Sequence, residues 1–130
     1  MKVIEVGCKE KSFFDKDLAF SFLNNNENIY YKMIESYFDN YKDIDDKINC
    51  AFTKNDFLEL KKIIHDVKGV SLNIGSSKLY DISYKLNNML IDFDANNYVL
   101  VRELKRLLID FCKINNIVLK RIKQSLKEKK

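Results

Sequence analysis

The chain has one histidine, His65, and its neighbours at helical spacing come from a narrow set of residue types. Lys61, Lys62, Lys68 and Gly69 stand at i−4, i−3, i+3 and i+4, the positions that share a helical face with it. The ring is framed by three ammonium groups and one residue without a side chain, a combination that suits a phosphoryl carrier. Neutral imidazole is a nucleophile at physiological pH. The lysines supply charge for a phosphate once it is attached, and the glycine leaves room beside the ring for a donor to approach. Glycine in a helix interior costs about 1 kcal/mol relative to alanine, so its presence needs a compensating role. Plainer readings exist for each residue: a surface histidine, solvated lysines, and a packing glycine that admits a bulky neighbour.

The elements that position this face are helical. Phe57, Leu60, Ile64, Val67, Ser71 and Ile74 recur at spacings of three and four, a seam for antiparallel packing that Gly75 ends. Past Ser76-Ser77, Leu79, Ile82, Leu86, Met89 and Phe93 repeat the pattern, so the two segments read as a helical hairpin. His65 follows seam residue Ile64 by one position, about 100° around, which sets it at the edge of the interface and in reach of solvent. Asn87 follows Leu86 in the same way and falls at the height of His65 on the partner helix. Its amide is placed to accept a hydrogen bond from one ring N–H and leave the other nitrogen free to attack. Ser83, one turn earlier, is a weaker candidate for that role.

Further helices are expected on either side. Ser12 is a candidate cap for a short helix near residues 15–23, and Asn24-Asn25-Asn26 breaks it. Tyr30, Met33, Ile34, Tyr37, Phe38 and Tyr41 form a buried stripe, and a second amphipathic stretch runs from Ile44 to Phe52. Thr53-Lys54-Asn55 breaks the chain before Asp56-x-x-Glu59, a capping-box pattern. From Asn97, a long stripe of Leu100, Leu104, Leu107, Phe111, Ile114, Val118 and Ile122 outlasts its partners, so its basic end should project or fray. The expected architecture is all-α: an antiparallel four-helix bundle over residues 28–118, preceded by short N-terminal helical segments and followed by a basic helical tail over 119–130.

Composition narrows the function. The 130 residues, 46% hydrophobic and 32% charged, make a single domain spanning 1–130 with a real core. Three Gly and no Pro leave few residues for the tight turns of an all-β fold. One His and three dispersed Cys argue against a metal site of the chain's own. Cys8, Cys50 and Cys112, odd in number and without a CxxC, read as thiols in a reducing compartment, hence a cytoplasmic location. No apolar run approaches the ~18 residues of a membrane span, and Met1 to Gly7 lacks a signal-peptide core. Residues 120–130 carry a net +5, which leaves residues 1–119 near neutral, so the overall +4 gives a nucleic-acid face little support. Gly7, Gly69 and Gly75 are too dispersed for a loop that cradles ATP, and kinase activity is not expected.

The run His65-Asp66-Val67-Lys68-Gly69-Val70-Ser71-Leu72-Asn73-Ile74-Gly75 resembles the signature of histidine-containing phosphotransfer domains. In that signature a histidine is followed by an aliphatic residue two on, then Lys-Gly, a small residue and an aliphatic-Gly pair. Val6-Gly7 and the Leu23-Asn24-Asn25-Asn26 turn before Ile29-Tyr30 are similar to the family's N-terminal pattern, so the likeness runs from about residue 6 to 118. The resemblance implies a monomeric bundle without a cofactor of its own. It implies that His65 accepts a phosphoryl group from a receiver-domain aspartate, or from a hybrid sensor histidine kinase, and passes it to another response-regulator receiver. By the match, Lys68 partners the phosphate and Gly69 is the clearance residue, while magnesium belongs to the partner's acidic pocket. Many members carry Gln or Glu where Asn87 falls. The rival expectation from the residues is a helical adaptor that binds a signalling partner with His65 unphosphorylated.

Overall fold

The computed structural model describes residues 11–129 and is helical throughout, with no strand among them. Residues 11–13 are helical, and six helices follow: α1 (Lys16–Phe22), α2 (Glu27–Tyr41), α3 (Ile44–Thr53), α4 (Phe57–Ser71), α5 (Ser77–Leu90) and α6 (Tyr98–Glu128). Val6-Gly7 and Cys8 lie outside the described residues. No helix among the described residues is long and apolar enough to cross a membrane.

Side-chain caps set the helix starts. Asp15 accepts from the amides of Asp17 and Leu18, Asn26 from Ile29, Asp56 from Glu59, Ser76 from Leu79, and Asn97 from Val99 and Leu100. The cap of α1 is therefore Asp15 and not Ser12: α1 begins only after the 14–15 break, which leaves Ser12 in the preceding helical turn. At Asp56 only half of the capping box forms, because the Asp56 amide already donates to Ala51 at 2.8 Å. Asparagine does the work that glycine usually does at helix ends. Asn24, Asn25 and Asn55 all sit at positive φ, and the Asn25 and Asp56 amides close back on the carbonyls of Phe20 and Ala51. A chain with three glycines can turn this often because asparagine tolerates the left-handed region.

Gly75 carries two constraints at once. The Gly75 and Ser76 amides donate to Leu72 and Ser71, a Schellman closure that ends the α4 region one turn beyond Ser71. Its φ is +85°, and its carbonyl accepts from the Asp15 amide at 2.6 Å, so a Cβ here would collide with the Asp15 backbone. The segment before α1 is thereby pinned across the α4–α5 turn, with the Ser77 hydroxyl donating to the Ser12 carbonyl at 3.3 Å.

α4 packs along α5, α5 along α6, α3 against both α4 and α6, α2 along α6 and α1 on α2. Leu60, Ile64, Val67, Leu79, Leu86, Leu104, Phe111, Val118 and Ile122 are fully or almost fully buried in one core, together with Tyr30, Ile34 and Tyr37 of the aromatic stripe. The C-terminal end of α6 neither projects nor frays. Ile122 is fully buried, Leu126 packs on the core, and the Lys129 ammonium lies 4.8 Å from the Tyr31 ring centre. The reason is length. A 31-residue helix extends ~46 Å, and α2 and α3, 15 and 10 residues long, cover it in series. Asn115 meets Tyr37 and Tyr41, whereas Asn116 reaches Asp45 on α3.

Candidate functional site

α4 presents His65 to solvent, and among the described residues no hydrogen bond or ion pair engages its ring. One face of the helix is open along Leu58, Lys61, Lys62, His65 and Gly69, all exposed. The opposite face holds Leu60, Ile63, Ile64, Val67 and Ser71 in the core, so the amphipathic period leaves the imidazole outside. A Cβ built on Gly69 meets nothing within 4 Å. No neighbour requires a glycine there, which removes packing as the reason for it.

Lys68 stands between the open face and α5. It is half-buried, and its ammonium lies 5.6 Å from the centre of the Tyr84 ring, a cation–π contact. Tyr84 is 49% exposed and stacks at 6.2 Å, tilted, on Tyr80 one turn earlier. The aromatic ring holds the ammonium beside the imidazole helix without neutralising it, whereas a carboxylate partner would cancel the charge. Tyr84 is a residue that the sequence reading missed. The same hairpin register that sets Asn87 level with His65 sets Tyr84 level with Lys68, so the signal was present in the spacing. Near the end of α2, burial first, and then the Asp66 carboxylate, raise the Tyr41 phenol above its ordinary range.

Asn87 lies deeper than its position one past the seam suggests. It is 8% exposed, its Nδ2 has no partner, and no hydrogen bond joins it to His65. Ser83, one turn away on α5, is fully buried with its hydroxyl equally unpartnered. On the helical wheel both fall on the same side of α5 as Tyr80 and Tyr84, the side turned to α4. Two buried polar groups without partners thus sit behind the imidazole helix. Such groups cost roughly 1–3 kcal/mol each when dry.

Other candidate chemistry is weak. Cys50 is exposed, while burial first, and then Asp45, push the Cys112 thiol up to about 12, so it stays protonated and unreactive at neutral pH. Among the described residues no group of three or more His, Cys, Asp or Glu side chains is placed to hold a metal ion. No protein-family model, curated protein or solved structure matches the chain.

Proposed function

We propose that this chain is a phosphorelay intermediate of the histidine-containing phosphotransfer type, its antiparallel four-helix bundle spanning residues 28–118, with α2 and α3 in series as one arm beside α4, α5 and α6. The observation that carries the reading is an exposed, unengaged His65 beside a helical glycine with open space around it. A mid-helix glycine that nothing packs against lowers helix stability, and room for a partner accounts for it. In the reaction, a lone pair on a ring nitrogen of His65 attacks the phosphorus of a receiver's aspartyl phosphate in line. The N–P bond forms as the P–O bond breaks, and the aspartate carboxylate leaves with that electron pair. Lys68, held by Tyr84 without losing its charge, moves onto the phosphoryl oxygens. Positioning and charge supply most of the catalysis. The donor's acidic pocket brings magnesium, and the carrier needs no cofactor of its own.

Incubation with a phosphorylated receiver tests the proposal. The carrier gains an acid-labile, base-stable phosphate on His65 and returns it to a second receiver. A chain that binds the receiver without gaining phosphate is an adaptor, and that outcome overturns the reading.

A further inference from the structure

A groove follows α6 on the side covered by α2 and α3, none of which carries His65. Its upper part lies between α3 and α6, with Ile48, Phe52 and Leu108 as apolar walls. At Asn116 it continues into a stretch formed by Phe38, Leu119 and Leu126 between α2 and α6. The three stretches neighbour one another through shared residues, Asn116 in one case and Phe38 with Lys123 in the other, so they follow α6 in series from Lys105 to Lys127. At ~1.5 Å per residue that is about 33 Å, the length of a helix of six turns.

Its rim is cationic. Lys105, Lys113, Lys120, Lys123 and Lys127 of α6 and Lys42 at the end of α2 line it, against the carboxylates of Glu35 and Asp45. Asp45 is already engaged by the Asn116 amide at 3.0 Å. Among the described residues Arg106 pairs with Glu103 and Asp110, and no ion pair joins any of these six lysines to a described carboxylate. A row of unpaired like charges does nothing for the fold. It repels itself weakly, and it lowers the energy of an anionic chain laid between the rims. Nor is it a fraying end, because Ile122 and Leu126 tie this part of α6 to the core.

We infer that this groove docks an acidic amphipathic helix of another protein, its apolar stripe on the Phe38–Leu119–Leu126 floor and its carboxylates against the lysine rims. The floor decides against the other polyanions. Nucleic acid engages lysines through phosphates and leaves such a floor wet, and the groove offers no exposed aromatic ring for base stacking. A bilayer surface is flat and does not reach a floor recessed between two helices, where Phe38 and Leu126 are half-buried and Leu119 is buried.

The test uses the full chain and a fluorescein-labelled 22-residue peptide with leucines at helical i, i+3, i+4, i+7 spacing and glutamates elsewhere. The expected result is saturable binding in 150 mM salt, at least tenfold tighter than a scrambled peptide of the same composition. The triple variant Lys120→Glu, Lys123→Glu, Lys127→Glu should weaken it at least tenfold with an unchanged melting curve. Ile109→Asn, at a half-exposed apolar position on the same groove, should weaken it several-fold. Equal affinity for the scrambled peptide, an unaffected triple variant, or tighter binding to a 20-base-pair DNA duplex or to phosphatidylserine vesicles overturns the inference. Running the assay on His65→Gln as well keeps the outcome independent of phosphotransfer, because the groove does not use the histidine.

Discussion

Two asparagines lie buried in this core, and they are used differently. Asn115 on α6 is fully buried and spends both ends of its amide: it accepts from the Tyr37 hydroxyl and donates to the Tyr41 carbonyl at 3.4 Å. Asn87 on α5 is almost as deep, yet its Nδ2 has no partner, and Ser83 beside it is in the same state. The first residue fixes the register of α6 on α2. The second leaves donors unspent behind the helix that carries His65. A buried polar side chain is framework when its bonds are made within the fold, and a site candidate when they are not.

The sharpest way to set the two regions apart is to remove the residue that gives one of them its chemistry. His65→Gln should abolish acid-labile phosphate while stability stays within about 0.5 kcal/mol, because the side chain is exposed and makes no bond. Any residual acid-labile phosphate sinks the assignment, since no second histidine exists to host it. Next in size is the pair of amides. Asn115→Ala should cost about 1–3 kcal/mol in urea unfolding, because it leaves the Tyr37 hydroxyl buried and unpaired, and the folded fraction should still accept phosphate at the normal rate. Asn87→Leu should leave stability equal or higher, because it exchanges an unsatisfied amide for an apolar group of similar size, while transfer slows. If Asn87→Leu unfolds as readily as Asn115→Ala and transfers normally, the contrast between them collapses.

A smaller effect is expected at the lysine. Lys68→Ala should slow transfer or shorten the phosphohistidine lifetime by a few-fold, with little change in melting, since a half-exposed charge adds little to stability but more beside a phosphate. Tyr84→Leu should reproduce part of that loss with the ammonium still present, because the contact at 5.6 Å is what holds it near the ring. Normal phosphohistidine lifetimes in both variants would reduce the pair to surface packing.

The helices were legible because their signals are local. Apolar spacing of three and four places α2 to α6 and meets their starts to within two residues. The stripes read as far as Ile74 and Phe93 overrun α4 and α5, which end three residues earlier at Ser71 and Leu90, because apolar residues of the following turns still pack on the core. What stayed hidden is contact between distant segments. Asp15 crossing Gly75 spans sixty residues of sequence, and Tyr37–Asn115 spans 78. The misjudged end of α6 has the same origin: each helix measured alone is shorter than α6, and only packing reveals that α2 and α3 cover it end to end. At the site, i±3 and i±4 spacing was enough for His65, Lys68 and Gly69 to share one side of α4. The burial of Asn87 depends on how closely α4 and α5 approach, which helical rise does not encode.

Gly69 separates the two kinds of region by sign. A Cβ there meets nothing within 4 Å, so Gly69→Gln adds a side chain to open solvent and should stabilise the isolated domain by up to about 1 kcal/mol. Framework glycines behave in the opposite way: Gly75, at φ +85° and under the Asp15 backbone, tolerates no Cβ. The glutamine would also project one turn beyond His65 on the same exposed face. A receiver must occupy that space to bring its phosphoaspartate within ~3 to 3.5 Å of the ring nitrogen. Stability should therefore hold or rise while phosphoryl transfer falls. A thermal melt and a transfer assay on this one variant suffice: a lower melting temperature contradicts the open geometry, and undiminished transfer shows that no partner uses the space beside His65.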